Sequence, residues 1–483
     1  MLTKSSYLTY LQCPKAFWLA QHTPQIGIPL SPAAQRRTQT GHEVEEYARQ
    51  NFPNGYLIPR QTPRQHMADT TQKAIKAGHK VLFQATFIHN NLLVITDIVI
   101  KTSNGWKLIE VKATTKPKKE HSPDLAIQKY AMEANGLKVT ETAVMHLNPD
   151  YRHPNQGDLF LITDITDQVN TRFPQITSDL NQMTTLHKMP SPPQVSVGRQ
   201  CGKTSDDCPF RDHCWENITG LTIYHIPRLQ GKKQKDLEDN NILHLDDLPQ
   251  TFSASPTQKP FLQSYQTKKP VIDRSAIRTA LQKLEYPLYF LDFESIDHAI
   301  PCYDGCKPYE NVPFQYSCHI LHQNGHLEHR EYLHTSSDDP RPALVNALLK
   351  DIGPRGHIVV YNKTFEKGIL KGLAETFPNQ KTQLENMLSR LWDQLDIFKH
   401  YYCDYRFKGS NSLKNVLPVV TNKTFSYDNL NDVRNGEEAQ IAWLEMLATT
   451  DVAEKARLTQ ELRAYCHLDT LAMVEIHKFL VSL

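Results

Sequence analysis

Two short apolar runs constrain this chain most, because each carries charged residues at the strand period. KLIEVKA (107–113) sets Glu110 and Lys112 two residues apart, and YFLDFES (289–295) does the same with Asp292 and Glu294. In a β-strand, residues i and i+2 share a face, so each pair projects to one side of an otherwise apolar strand. Unpaired charge is costly to bury there. Two such runs nearly 200 residues apart point to two separate sites, and 483 residues is too long for one ordinary core.

With 39% hydrophobic and 22% charged residues, the chain reads as soluble and globular. No run of about 18 apolar residues occurs, so no membrane-spanning helix is expected. The opening MLTKSSYLTYLQCPKAFW has no apolar signal core, and a cytoplasmic location is expected. A net charge of +2 neither demands nor excludes nucleic acid. Basic clusters occur at Lys116, Lys118 and Lys119 and at Arg228, Lys232, Lys233 and Lys235, each read as solvated surface when taken alone.

Residues 1–220 read as an α/β unit. Helical patterns around 3–20 and 41–51 precede a strand pair over 81–113 that turns at Asn104-Gly105. A helix over 124–136 and a strand over 141–148 follow. Residues 221–272 read as a partly helical connector. A second α/β pattern fills 273–483: the strand YFLDFESI, a hairpin over 312–334 turning at Asn324-Gly325, the strand HIVVYN between helices, and a long terminal helix.

In the first region, Asp97 lies in LVITDIVI, and a hairpin brings it beside Glu110 and Lys112. Two carboxylates and a lysine suit metal-assisted phosphodiester cleavage: the carboxylates hold Mg²⁺ or Mn²⁺, and the lysine orients water or offsets negative charge. In the second region, Asp292 and Glu294 are followed by Asn362, Phe365 and Glu366 after HIVVY. Tyr465 and Asp469 then stand four apart on the terminal helix, hence on one face. The nine cysteines include Cys201, Cys208 and Cys214, spaced C-x6-C-x5-C, with Cys13 far upstream. Structural disulfides are disfavoured in the cytosol, so the cluster points to zinc or iron–sulfur ligation, zinc being the commoner. In FKGSNSLKNVLPVV, Lys408, Gly409 and Ser410 can either contact a phosphate or form an ordinary helix cap.

The first region resembles the RecB-like branch of the PD-(D/E)XK nucleases. Asp97 matches the metal aspartate, Glu110-Val111-Lys112 the (D/E)-x-K, and Gln128 the glutamine of the following helix. Glu45, four residues after Gly41, stands where that family carries a metal-binding histidine, and Tyr130 follows Gln128 at a shorter spacing than usual. LTYLQCPKAFWL and CPFRDHCW are similar to the iron–sulfur subset, which includes AddB and CRISPR-associated nucleases. That resemblance implies a 4Fe–4S cluster on Cys13, Cys201, Cys208 and Cys214, stapling the ends of the domain. The second region resembles the DEDD exonucleases, the ribonuclease H-like group of DnaQ-type domains and RNase D. It implies metal ligation by Asp292, Glu294, Glu366 (aspartate in the family) and Asp469, with Tyr465 positioning water.

The order of parts resembles an uncharacterised bacterial family. The expected fold is α/β, a restriction-endonuclease-like domain with an iron–sulfur staple joined to a ribonuclease H-like 3′→5′ exonuclease domain. The expected function is metal-dependent hydrolysis of DNA, at ends or on single strands, in repair, CRISPR adaptation or phage defence. RNA processing and a catalytically inactive nucleic-acid-binding module are the alternatives.

Overall fold

Both charged apolar runs become strands with covered faces. In the computed structural model, which describes residues 1–427, 430 and 432–483, the chain is mixed α/β and divides into two units. One comprises Met1–Ile218 with His298–Glu310, the other Thr219–Asp297 with Asn311–Leu483. No helix among the described residues is long and apolar enough to cross a membrane.

In the first unit, the strand Trp106–Lys112 pairs antiparallel with Ile98–Lys101 and parallel with Val139–Leu147 inside a six-stranded sheet. Its two faces differ. Ile109 and Val111 pack with Val44 and Ala48 of the helix Pro32–Arg49. Leu108 joins the opposite core with Leu125, Ile127 and Met132 of the helix His121–Ala134. Strand alternation puts Glu110 and Lys112 on this second face.

The expected strand pair over 81–113 is instead five strands. Thr86–His89 and Leu92–Ile95 leave the main sheet and join Leu2–Thr3 in a three-stranded one. The switch is made where Gln84 turns with φ 56°. It is closed by Thr96 N donating to Ala85 O at 2.9 Å and Gln84 N to Asp97 O at 3.1 Å. Asp97 therefore occupies a bend between two sheets and is not inside a strand.

In the second unit, Leu288–Ile296 is the middle of a five-stranded sheet, flanked by Val312–Leu321 (antiparallel) and Ile358–Val360 (parallel). The hairpin partner Leu327–Leu333 forms one edge and Leu391–Asp393 the other. Leu291, Phe293, Tyr316, Cys318 and Ile320 face an apolar core shared with the helices Arg341–Asp351 and Lys363–Thr376. On the other face Asp292 lies opposite Ser317, and Glu294 opposite Gln315. The helix Val452–Val481 covers this face, and Gln315 Nε2 donates to Leu462 O at 2.9 Å.

The domain boundaries drawn from sequence shift in two places. Residues 221–272 do not form a separate connector: Ile223, Ile226, Leu237, Leu245 and Phe261 pack with Cys403 and Tyr405, and Val271–Ile272 pairs with Tyr402–Cys403. The loop His298–Glu310 packs in the first unit, where Tyr309 Oη donates to Ala113 O at 2.6 Å and His153 N donates to Cys306 O at 3.0 Å.

Gly409 shows why its loop needs glycine. Its φ is +75°, and a Cβ would stand 1.9 Å from the carbonyl oxygen of His225. The side of this residue toward His225 is thus filled by backbone. Gly409→Ala should destabilise the second unit by more than about 1 kcal/mol, since alanine in a left-handed, closely packed position carries both strain and clash. Urea denaturation followed by circular dichroism checks this.

Candidate metal centres

In the first unit the buried carboxylate of Glu110 is the hub. Its Oε1 accepts from Lys4 Nζ and Lys112 Nζ, both at 2.7 Å, and its Oε2 from Gln128 Nε2 at 2.6 Å. Asp124, one helical turn before Gln128, accepts from Lys112 Nζ at 2.7 Å and Gln128 Nε2 at 2.9 Å, with Lys4 Nζ at 3.3 Å. Asp97 accepts from Val111 N at 2.8 Å. Burial would push the Glu110 carboxyl upward, but the ammonium groups of Lys4 and Lys112 outweigh it and hold the group below the usual range. Asp97 is pushed well up, by burial first and then by the Glu110 charge.

Asp97, Glu110, Lys112 and Gln128 thus converge. Lys4 and Asp124 complete the group, and neither was read from the sequence. Asp124 carried a signal, its i, i+4 spacing to Gln128. Lys4 carried none, being 106 residues from Glu110. Glu45 takes no part in the hydrogen bonds around Glu110 among the described residues. Its carboxylate accepts from Gln84 Nε2 at 2.6 Å and lies 3.8 Å from Arg49, and its helix covers the strand face opposite Glu110. Its charge still adds to the upward push on Asp97. Tyr130 packs edge-on against His89, with Phe173 as a second ring neighbour.

Three donors already engage the Glu110 carboxylate, Lys4 and Lys112 on Oε1 and Gln128 on Oε2, so a divalent ion there competes with the charges of both lysines. Lys4→Met should therefore destabilise the metal-free protein by about 3 kcal/mol, the usual effect of removing one partner of a buried ion pair. Added Mn²⁺ should restore more stability to this variant than to the native chain, read by urea denaturation with and without the ion.

In the second unit Asp292, Glu294, Glu366 and Asp469 form one buried electrostatic group. Burial first, then the charges of Asp469, Glu294 and Glu366, push the Asp292 carboxyl well up, and Glu294 is raised likewise. Burial raises Glu366 to about 8 and Asp469 to about 6. Glu366 Oε2 is buried with no hydrogen-bond partner among the described residues. A buried oxygen left bare on a carboxylate whose charge reaches Asp292 and Glu294 fits a hard divalent cation.

Tyr465 is buried beside Asp469, and burial and the surrounding carboxylates keep its hydroxyl protonated. Tyr427, which the sequence reading missed, donates its hydroxyl to Asp469 Oδ1. Lys414 Nζ lies 5.4 Å and 5.5 Å from the ring centres of Tyr427 and Tyr465, and its charge favours the ionised forms of Glu294 and Asp469. Cys466 Sγ stands 3.9 Å from Asp292 Oδ2. Asp396 is exposed and pairs with Lys399 at 3.0 Å, so it offers no ligand. Its neighbour Asp393 caps backbone, accepting from Asn362 N and Leu395 N at 3.0 Å.

The raised carboxyls set a pH dependence. A carboxyl whose pKa is higher folded than unfolded stabilises the fold fully below its unfolded value and loses that contribution as pH rises through the folded value. For Glu366 the loss runs from 4.5 to about 8, and for Asp469 from 3.8 to about 6. The metal-free protein should melt at a lower temperature at about pH 8.5 than at about pH 5.5, and Mn²⁺ should raise the midpoint more at the higher pH. Differential scanning fluorimetry with and without the ion checks both.

The four cysteines named from sequence also converge. Cys13 and Cys208 share an apolar cluster with Trp18, Leu19 and Phe210, with Cys214 packed against it. The Cys208 thiol is raised by burial, with Cys201, Cys13 and Cys214 near enough to add to the shift. Gln12 Nε2 joins the two ends of the unit by donating to Gln200 O at 3.0 Å and Asp207 O at 2.8 Å. All four thiols are free.

Residues 289–412 match a family model described as a domain of unknown function, DUF2779. The match includes Asp292, Glu294 and Glu366. An uncharacterized MG366 homolog of Mycoplasma pneumoniae is 28% identical over 46% of this chain and 36% of its own length. The uncharacterized protein MG366 of Mycoplasma genitalium is 26% identical over 52% and 41%. UU173 of Ureaplasma parvum, also uncharacterized, is 27% identical over 55% and 42%. The chain thus spans roughly two fifths of the length of these curated relatives.

Proposed function

We propose that the chain is a metal-dependent nuclease that hydrolyses phosphodiester bonds of DNA, working principally at the carboxylate centre of its second unit. The observation that carries this reading is the gathering of Asp292, Glu294, Glu366 and Asp469 beside Tyr465, with one Glu366 oxygen unpaired. Mg²⁺ or Mn²⁺, when bound, supplies the positive charge that stabilises a phosphate in displacement. Asp292, Glu294, Glu366 and Asp469 are the residues to hold it. Tyr465, kept protonated, donates a hydrogen bond to the attacking water or to a phosphate oxygen. Tyr427 fixes the orientation of Asp469. The arrangement suits a DEDD-type, ribonuclease H-like exonuclease acting 3′→5′.

The first unit is proposed as a RecB-like PD-(D/E)XK nuclease fold in which Asp97, Glu110, Lys112 and Gln128 form the reactive group. Lys4 holds that group charge-balanced until a divalent ion replaces it. Cys13, Cys201, Cys208 and Cys214 are proposed to hold a 4Fe–4S cluster, supported by their convergence as free thiols in an apolar setting. The cluster's role is to staple the unit's ends.

DNA and RNA oligonucleotides labelled at either end, incubated with Mn²⁺, test the activity. Asp292→Ala should slow loss of the 3′ label by about 100- to 1000-fold, the scale of losing a key electrostatic group, and Glu110→Ala should spare it. Cleavage of RNA alone would overturn the DNA assignment, and binding without cleavage would make the protein a binding module. Iron analysis tests the staple: about four iron atoms per chain are expected, and stoichiometric zinc would refute it.

A further inference from the structure

A three-histidine cluster stands beside the carboxylate centre and takes no part in it. His319 and His329 are cross-strand partners on Val312–Leu321 and Leu327–Leu333, and His467 comes from the helix Val452–Val481 that covers them. The ring centres are 4.5 Å (His319–His329), 4.7 Å (His319–His467) and 4.5 Å (His329–His467) apart. One ring nitrogen of each lies within 4.8 Å of one from each of the others.

A hydroxyl chain fixes two of the rings. One consistent order of donors starts with the Thr470 hydroxyl donating to the His467 carbonyl at 3.1 Å. It then accepts from His319 Nδ1 at 2.8 Å and from Ser317 Oγ at 2.7 Å. Ser317, having donated, accepts from His329 Nε2 at 2.9 Å. This order of donors leaves the lone pairs on His319 Nε2 and His329 Nδ1. Metal-bound histidines are oriented in the same way, by a partner that takes the other ring N–H. Burial, reinforced by the neighbouring rings, lowers His319 to about 3 and His329 to about 4, so both are neutral.

We propose that His319, His329 and His467 bind a zinc-class transition-metal ion, with a fourth position left to water, as a clamp between the terminal helix and the sheet. Imidazole nitrogens suit such an ion, whereas the neighbouring carboxylates suit Mg²⁺ or Mn²⁺, so the two sites divide by ligand chemistry. Nitrogens held at roughly 2.0–2.1 Å in a tetrahedral set stand roughly 3.3 Å apart, a closure that small side-chain rotations supply. The clamp would hold the helix one turn or less from Tyr465 and Asp469.

The test uses the full chain, freed of divalent ions by chelation, refilled with saturating Mg²⁺ and titrated with ZnCl₂ by calorimetry and thermal denaturation. The native chain should bind one more tight equivalent of Zn²⁺ than a chain carrying both His329→Gln and His467→Gln, and only the native chain should gain the associated rise in melting temperature. Ser317→Ala should weaken this zinc by about 10- to 100-fold, the usual effect of losing an outer-shell partner. Equal zinc stoichiometry and equal thermal shifts in the native and doubly substituted chains would overturn the proposal. Should the double variant misfold, His467→Gln alone, at a half-buried position, must weaken zinc by at least about 10-fold; unchanged affinity overturns the proposal equally.

Discussion

Carboxylates crowded on one buried sheet face repel each other, and most of the second unit's architecture follows from accommodating them. Leu288–Ile296 needs neighbours that cover Asp292 and Glu294 without neutralising them. Its apolar face is served by ordinary core, Leu291 and Phe293 against Tyr316 and Cys318. Its polar face continues across the antiparallel partner as Gln315, Ser317 and His319, all buried. Only a helix with matching polar groups can lie there, and Val452–Val481 supplies them: the Leu462 carbonyl for Gln315, and Thr470 for Ser317 and His319. The same helix delivers Tyr465 and Asp469.

The first unit meets the same problem with the opposite solution. Glu110 and Asp124 are neutralised by two lysines, one of them from the start of the chain. Such a site is electrostatically content without a metal, whereas the second unit's site keeps raised carboxyls and a bare oxygen. Burial penalises an uncompensated charge heavily, so a group of carboxylates met among the described residues by the charge of Lys414 suits a cation better than one already paired. The proposal that the second unit carries the principal chemistry rests on this difference.

Much of the candidate site was legible in sequence because strand and helix periods are short-range. Glu110 and Lys112, Asp292 and Glu294, and Tyr465 and Asp469 share faces by spacing alone. The hairpin turn at Gly325 and the helix stop at Gly136 also fall where glycine takes positive φ. Lys4, Tyr427 and the placing of His467 over the hairpin pair His319 and His329 were not legible, because each joins distant chain segments. Asp97 was placed beside Glu110 for an incomplete reason: the apolar run around it looked like one strand, and only the hydrogen bonds to Gln84 and Ala85 reveal the switch between sheets.

The sequence by itself determined which residues pair along each element, and hence the two carboxylate groups and the cysteine set, since local periodicity and spacing are written in one dimension. Tertiary structure decided how each group is compensated. Whether a buried carboxylate meets a lysine, a tyrosine or nothing depends on which remote segment folds over it. That choice made Glu110 an ion-paired hub, gave Glu45 a hydrogen bond from Gln84, and left Glu366 with an oxygen unpaired among the described residues. It also moved the loop after Leu288–Ile296 into the first unit and the presumed connector into the second, because apolar side chains pack with whatever surface the completed fold presents.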